Sequence, residues 1–175
     1  MYPISATFLL KSEGNSSSYA RLFVRRLSRR EELQRTARSK VAYSVALKDE
    51  ATSEVVIFDD GGNEIEPTAP AFQVDSPLPF SLFHAGGIPC AASGEKGLLS
   101  SEAGRLLALA GVRVLCCFPS ESATADYPMA DFARVRSLEN GHYTIIALPG
   151  EQGVACFGKG DAPLSTCEIV LRRVR

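Results

Sequence analysis

Apolar and polar side chains alternate from the first residues onward. Ile4, Ala6, Phe8 and Leu10 interleave with Ser5, Thr7, Leu9 and Lys11, the period of a half-buried strand. The cluster EGNSSS then reads as a turn. Tyr19 to Leu27 alternates again, with Arg25 and Arg26 near its far end. In SRREELQRTARS, Glu31 and Arg35 sit at an i,i+4 spacing, which fits one or two helical turns or a polar loop. Val41, Tyr43, Val45 and Leu47 form the next strand face, and EVVIFDDGGNEIE predicts a hairpin closed by an Asp-Gly turn. Four prolines in PTAPAFQVDSPLPFSLF confine any strand there to a short or edge position.

The stretch FHAGGIPCAASGEKG, Phe83 to Gly97, resists assignment to a regular element and reads as a connection into a helix. That helix is clear: Leu99, Ala103, Leu106, Leu107 and Ala110 share one face, Ser100 or Ser101 can cap its start, and Gly111 suits its end. VRVLCCF follows as a buried strand, and PSESATADYPMA as a loop. Three more strands are predicted, Phe132 to Ser137, His142 to Pro149 and Thr166 to Val174, with LENG turning between the first two. Seven to nine short strands at about ten-residue intervals with one short amphipathic helix predict a mainly-β fold, an antiparallel β-sandwich. The alternative is an α+β fold with the helix packed across a single sheet. No repeat or linker divides residues 1–175, so one domain is expected.

Composition supports an ordinary globular chain: 175 residues, 45% hydrophobic and 22% charged. A chain of this length buries roughly 70% of its unfolded surface and needs no disulfide or metal to fold. No apolar run approaches the roughly 20 residues of a membrane-spanning helix, and the first residues alternate rather than forming a leader, so no signal peptide is expected. Five cysteines, with no CxxC, imply free thiols in a reducing, cytoplasmic setting. The net charge of −1 hides a division. Residues 21–40 hold eight Arg or Lys, whereas residues 48–75 hold eight acids against Lys48.

Candidate chemistry thins out on inspection. A phosphate cradle at Gly94-Glu95-Lys96-Gly97 fails on residue order: no Ser or Thr follows the lysine, and Glu95 sets a negative charge beside the anion. A thiol nucleophile could be built on Cys90 if His84 or His142 came within hydrogen-bond reach; otherwise Cys90 is a small core residue. Adjacent Cys116 and Cys117 point to opposite faces of a strand and do not suit one metal ion. Asp59, Asp60, Asn63 and Glu64 offer calcium-type oxygen ligands, but the spacing is that of a hairpin turn. Arg25, Arg26, Arg29 and Arg30 form the candidate binding surface. Nucleic acid is a disfavoured but open partner for them, because the pI is about 6.1. No complete catalytic set, metal site or cofactor site emerges.

The segment LENGHYTIIALPGEQG followed by CEIVLRRV, with Leu138, Gly141, Tyr143 and Ile145 in rhythm, resembles the closing hairpin of the calpain-type β-sandwich domain. The likeness covers residues 138–173. It implies a non-catalytic module that contacts partners or membranes. The expectation is therefore a non-enzymatic intracellular β-sandwich that acts through protein–protein contact or self-association, its opposite charge blocks supplying the complementarity. The alternatives are a Cys90-centred hydrolase or transferase, and a nucleic-acid binder using the basic block.

Overall fold

The computed structural model of the chain describes residues 5–12, 19–49, 54–68, 80–158 and 168–171. The strands are β1 (Ser5–Ser12), β2 (Tyr19–Leu27), β3 (Tyr43–Asp49), β4 (Glu54–Phe58), β5 (Phe80–Ala85), β6 (Ile88–Ser93), β7 (Val114–Cys117), β8 (Tyr143–Leu148), β9 (Gly153–Phe157) and β10 (Glu168–Leu171). The helices are α1 (Arg30–Lys40), α2 (Lys96–Leu99), α3 (Ser101–Leu109), α4 (Glu121–Asp126) and α5 (Met129–Asn140), with a 3-10 turn at Gly150–Gln152. They build two five-stranded mixed sheets, ordered β10-β1-β2-β3-β4 and β5-β6-β7-β8-β9.

The expected antiparallel sandwich is thereby corrected to an α+β fold of two mixed sheets and helices. The pairs β1/β10, β2/β3, β6/β7 and β7/β8 are parallel. A parallel neighbour cannot be reached by a tight turn, so a crossover must intervene. Here α1 links β2 to β3, α2 and α3 link β6 to β7, and α4 and α5 link β7 to β8. The other pairs, β1/β2, β3/β4, β5/β6 and β8/β9, are antiparallel; the hairpin expected from EVVIFDDGGNEIE is reduced to a turn with one bridge, Phe58 to Glu64, because β4 pairs with β3 instead.

Each crossover buries a second face of its sheet. Between the sheets, Phe8, Leu10, Leu22, Val24, Val45 and Ile57 meet Phe83, Cys90, Val114, Cys116, Ile145 and Cys156. On the outer face of the second sheet, Ala91, Leu115, Cys117, Ile146 and Phe157 pack against Leu98, Leu107, Met129 and Ala133 of the helices. On the outer face of the first, Phe23, Ala46 and Phe58 receive Leu33 and Ala37 of α1. The order is helix, sheet, sheet, helix. Strand β7 is buried along its whole length, which explains its unbroken apolar run.

Helix α1 takes the helical option left open for SRREELQRTARS, whereas α2 and α4 stand in stretches expected as a connection and a loop. α1 has Glu31 and Glu32 in its first turn and Arg38 and Lys40 in its last, matching the helix dipole. Its docking rests mainly on Leu33, whose burial is worth roughly 2 kcal/mol; part-exposed ion pairs such as Arg25–Glu32 contribute about 1 kcal/mol at most. α5 replaces the strand expected at Phe132 to Ser137. Its buried face carries Arg136 and Ser137, while Val135 and Leu138 are exposed, so the helical period is nearly erased. Arg136 is satisfied by donating from Nε to the Leu98 carbonyl at 2.9 Å and from Nη1 to Glu139 at 2.6 Å. Ser137 Oγ bonds Thr144 Oγ1 at 2.8 Å, tying α5 to β8. The LENG segment is the end of this helix, with Gly141 in the left-handed conformation at φ 69°.

The stretch that resembles the calpain-type module thus comprises the end of α5, β8, the 3-10 turn, β9 and β10, with 159–167 outside the described residues. The expected turn at 13–18, the proline-rich 69–79 and Cys167 also lie outside them.

His142 precedes β8 and is 1% exposed, and neither ring nitrogen has a hydrogen-bond partner among the described residues. Burial lowers its pKa from 6.5 to about 4. Below pH 6.5 the unfolded chain binds a proton that the native imidazole refuses. Stability should therefore fall as the pH drops from 6.5 towards 4, by up to about 3 kcal/mol from this residue. Urea denaturation across that window should show the loss in the parent protein and a clearly shallower one in His142→Leu. Equal slopes would remove His142 as the cause.

Candidate functional site at the carboxyl edge

In sheets with parallel strands, ligand sites form beyond the carboxyl ends of the strands, where connections diverge. Strands β6, β7 and β8 end together at Ser93, Cys117 and Leu148. β2 of the facing sheet ends beside them, because Arg26 Nη1 donates to the Ala147 carbonyl at 2.9 Å. This edge gathers Arg26, Ser93, Glu95, Cys117 and Ser120.

The group is knit by short bonds. Ser93 Oγ donates to the Gly94 carbonyl at 2.7 Å, and Cys117 Sγ reaches the same carbonyl at 3.2 Å. A hydroxyl and a thiol therefore converge on one oxygen. The Ser120 N–H donates to Glu95 Oε2 at 3.2 Å, so the loops after β6 and β7 are fastened to one another. Ser120 Oγ caps α4 by accepting from the Ala123 N–H at 3.2 Å. Helix α2 starts so close to the strand end that a Cβ on Gly97 would lie 2.1 Å from Ser93 Oγ. Glycine is required there by close approach.

The electrostatics of Cys117 follow from this enclosure. Burial raises its pKa far above the ordinary thiol value, the Glu95 carboxylate raises it further, and the Arg26 guanidinium opposes both. The resting group is a neutral, fully buried thiol with a carboxylate and a guanidinium within electrostatic reach.

The sequence-expected residues fall elsewhere, with one exception. Cys90 lies between the sheets, 1% exposed, with Sγ on the Ile88 carbonyl at 3.4 Å. Burial pushes its pKa up to about 12. Its cross-strand partner is Phe83, so His84, paired with Pro89, points to the other face and is exposed. His142 introduces β8, two strands from β6 and about 10 Å away. No imidazole serves Cys90.

Of the four arginines, Arg25 and Arg26 divide by strand parity, and Arg29 and Arg30 belong to the start of α1. Arg25 faces α1 and pairs with Glu32, whose carboxyl it holds below the usual range, chiefly by hydrogen bonding. Arg26 faces inward, 8% exposed, at the carboxyl edge. Arg29 is the exposed residue before α1, and Arg30 pairs with Glu64. The basic helix also docks on the acidic turn: Gln34 donates to the Gly62 carbonyl and Arg38 to that of Gly61. The two charge blocks meet within the chain.

Asp59 accepts the N–H groups of Gly61 and Asn63 at 2.9 and 2.8 Å, and bonding led by Asn63 lowers its pKa. It serves the turn. Among the described residues no three His, Cys, Asp or Glu side chains gather as a metal-binding group.

Sequence reasoning missed Ser93, Glu95 and Cys117 as a set. The available signal was the exit of two buried apolar runs, IPCAAS and VLCC, into small residues followed by helices.

Two outcomes are expected. Gly97→Ala should cost about 1–3 kcal/mol in urea denaturation, and Ser93→Gly should recover most of that loss in the double variant, since removing the side chain clears the contact. Additive losses would mean that the two residues do not collide. Native protein treated with iodoacetamide between about pH 7 and pH 9 should keep Cys90 unmodified until denaturant is added.

No family model and no curated protein sequence matches this chain. Solved structures do resemble it. A variant of the amidase of Nesterenkonia AN1, from the nitrilase superfamily, aligns over 77% of this chain and 60% of its own, at 18% identity and a TM-score of 0.52. Another variant of that amidase, with acrylamide added at its active-site cysteine, aligns over 77% and 62%, at 15% identity and a TM-score of 0.54. A complex with butyramide gives 77%, 60%, 16% and 0.52. The chain spans about three fifths of the length of these amidases. At such identity the likeness establishes the fold. It also overturns the expectation of a non-enzymatic β-sandwich for protein binding: that reading rested on the lack of a complete catalytic set, on opposite charge blocks and on a sandwich architecture, and the observed fold is instead shared with enzymes.

Proposed function

We propose that this chain is a hydrolase of the amide class, with Cys117 as nucleophile and Glu95 as the base. The observation that carries the reading is positional. Of the described free cysteines Cys90, Cys116, Cys117 and Cys156, only Cys117 stands at the carboxyl edge within the field of a carboxylate. The fold supports it, since the similar amidases are described as having an active-site cysteine.

The chemistry follows from the resting state. A thiol with so high a pKa holds its proton at neutral pH, so attack needs a base that takes the proton as the sulfur–carbon bond forms. Glu95 takes it, and the sulfur adds to the amide carbon. The carbon–nitrogen bond breaks as Glu95 returns the proton to the leaving amine. Water, deprotonated by Glu95, then cleaves the thioester to release the acid and restore the thiol. Arg26 offsets negative charge that develops on this edge. Free thiols suit such a reaction in the cytoplasm, where we locate the protein. No helix among the described residues is long and apolar enough to cross a membrane.

Ammonia release from butyramide tests the reading. Cys117→Ala and Glu95→Gln should each lower the rate about a hundredfold or more, with circular dichroism unchanged. Undiminished turnover in Cys117→Ala would exclude it as nucleophile. Loss on Ser93→Ala alone would move the role to the hydroxyl on the same carbonyl.

A further inference from the structure

A cavity of about 340 Å³ opens at the edge of the sheets opposite the carboxyl ends of β6, β7 and β8. It lies at the amino ends of β2 and β3, and Tyr19, Arg21, Val41, Tyr43, Asp60 and Gly86 line it. β2 runs from Ala20 here to Arg26 at the carboxyl edge, about 20 Å away, so the two sites are separate. The floor is tight: a Cβ on Gly86, at φ 57°, would lie 2.8 Å from Ala20 Cβ. The hairpin tip of one sheet thus closes onto the start of β2 in the other.

The lining is chemically mixed in an ordered way. Tyr19 and Val41 are 56% and 58% exposed and present apolar surface to the opening. Arg21 sits over the Tyr19 ring at 5.9 Å and donates to the Lys40 carbonyl at 3.3 Å. Asp60, exposed at the turn, has no hydrogen-bond or ion-pair partner among the described residues, and Arg21 has no carboxylate partner there. The carboxyl-terminal, electronegative end of α1 also faces this region, through Val41. The cavity is therefore flanked by one cation, one anion with a helix terminus, and an apolar wall.

Val41 adds an independent observation. It is the only non-glycine residue at positive φ among the described residues, at 48°, and it is β-branched. Such a conformation is disfavoured and persists where the surroundings impose it, often at ligand sites. Glycine would fill the helix cap without strain but would supply no wall.

We propose that this cavity is a binding site for a small zwitterion of the free amino-acid class with an apolar side chain. The carboxylate pairs with Arg21, the ammonium with Asp60, and the side chain rests on Tyr19, Tyr43 and Val41. A cavity of this size admits a molecule of that class.

Calorimetric titration with L-phenylalanine and L-leucine, each beside its N-acetyl and amide forms, tests this. One molecule of at least one free amino acid should bind per chain. Arg21→Gln and Asp60→Asn should each weaken it about tenfold or more, because each removes a charge-assisted contact. Masking the amine or the carboxylate should do the same. Val41→Gly should bind more weakly while melting no lower than the parent, which separates a binding role from a structural one. No heat from either amino acid at millimolar concentration, or affinity unchanged by Arg21→Gln, would overturn the proposal. Turnover at Cys117 plays no part in the readout.

Discussion

Parallel pairing at the centre of both sheets is the constraint from which the rest of the molecule follows. β6, β7 and β8 run the same way, as do β2 and β3. Their backbone ladders can be completed only if the chain returns outside the sheet, and each return brings a helix onto an outer face. The helices then bury what hairpins would have left wet. Cys117, Leu115 and Ile146 lie against helices, while Cys116, Val114 and Ile145 lie against the other sheet. Both parities of one strand are core, so the simple alternation of a half-wet strand disappears.

The same constraint builds the site. Parallel strands deliver their carboxyl ends to one edge, and the loops that leave them must separate before their helices begin. Gly94 and Glu95 leave β6 while Phe118 and Ser120 leave β7, and the bond from the Ser120 N–H to Glu95 closes the gap. A buried arginine from the facing sheet completes the edge. The enclosure that positions Cys117 also keeps it protonated, so any reactivity there depends on a neighbouring base rather than on a standing thiolate.

Charge is settled locally as well. The basic and acidic blocks look in the sequence like surfaces awaiting a partner, yet Arg30 meets Glu64, and Arg38 reaches the turn after β4. Arg25 and Arg26 are neighbours in the chain and occupants of different layers, because successive strand residues point to opposite faces. At the amino edge, Arg21 and Asp60 have no such ion pair among the described residues.

Several features were legible directly. The β4 turn is written in its Asp-Gly sequence and α3 in its Ser100 cap and apolar spacing; Ser100 Oγ does accept from the Ala103 N–H at 3.1 Å. The stretch Phe83 to Gly97 hid a hairpin, since Gly86 and Gly87 turn β5 into β6 with Pro89 at an edge of the pairing. α5 stayed hidden because Arg136 and Ser137 occupy its buried face, satisfied by Leu98, Glu139 and Thr144, none of which is visible as a partner from local spacing. The sequence by itself determined what depends on near neighbours: strand periodicity, turns, caps and which residues shun water. Only the tertiary structure decided strand direction, which cysteine stands at an edge, and which charges meet. Those outcomes depend on contacts between segments far apart in the chain, and a register or a crossover leaves no mark within the few residues that local periodicity samples.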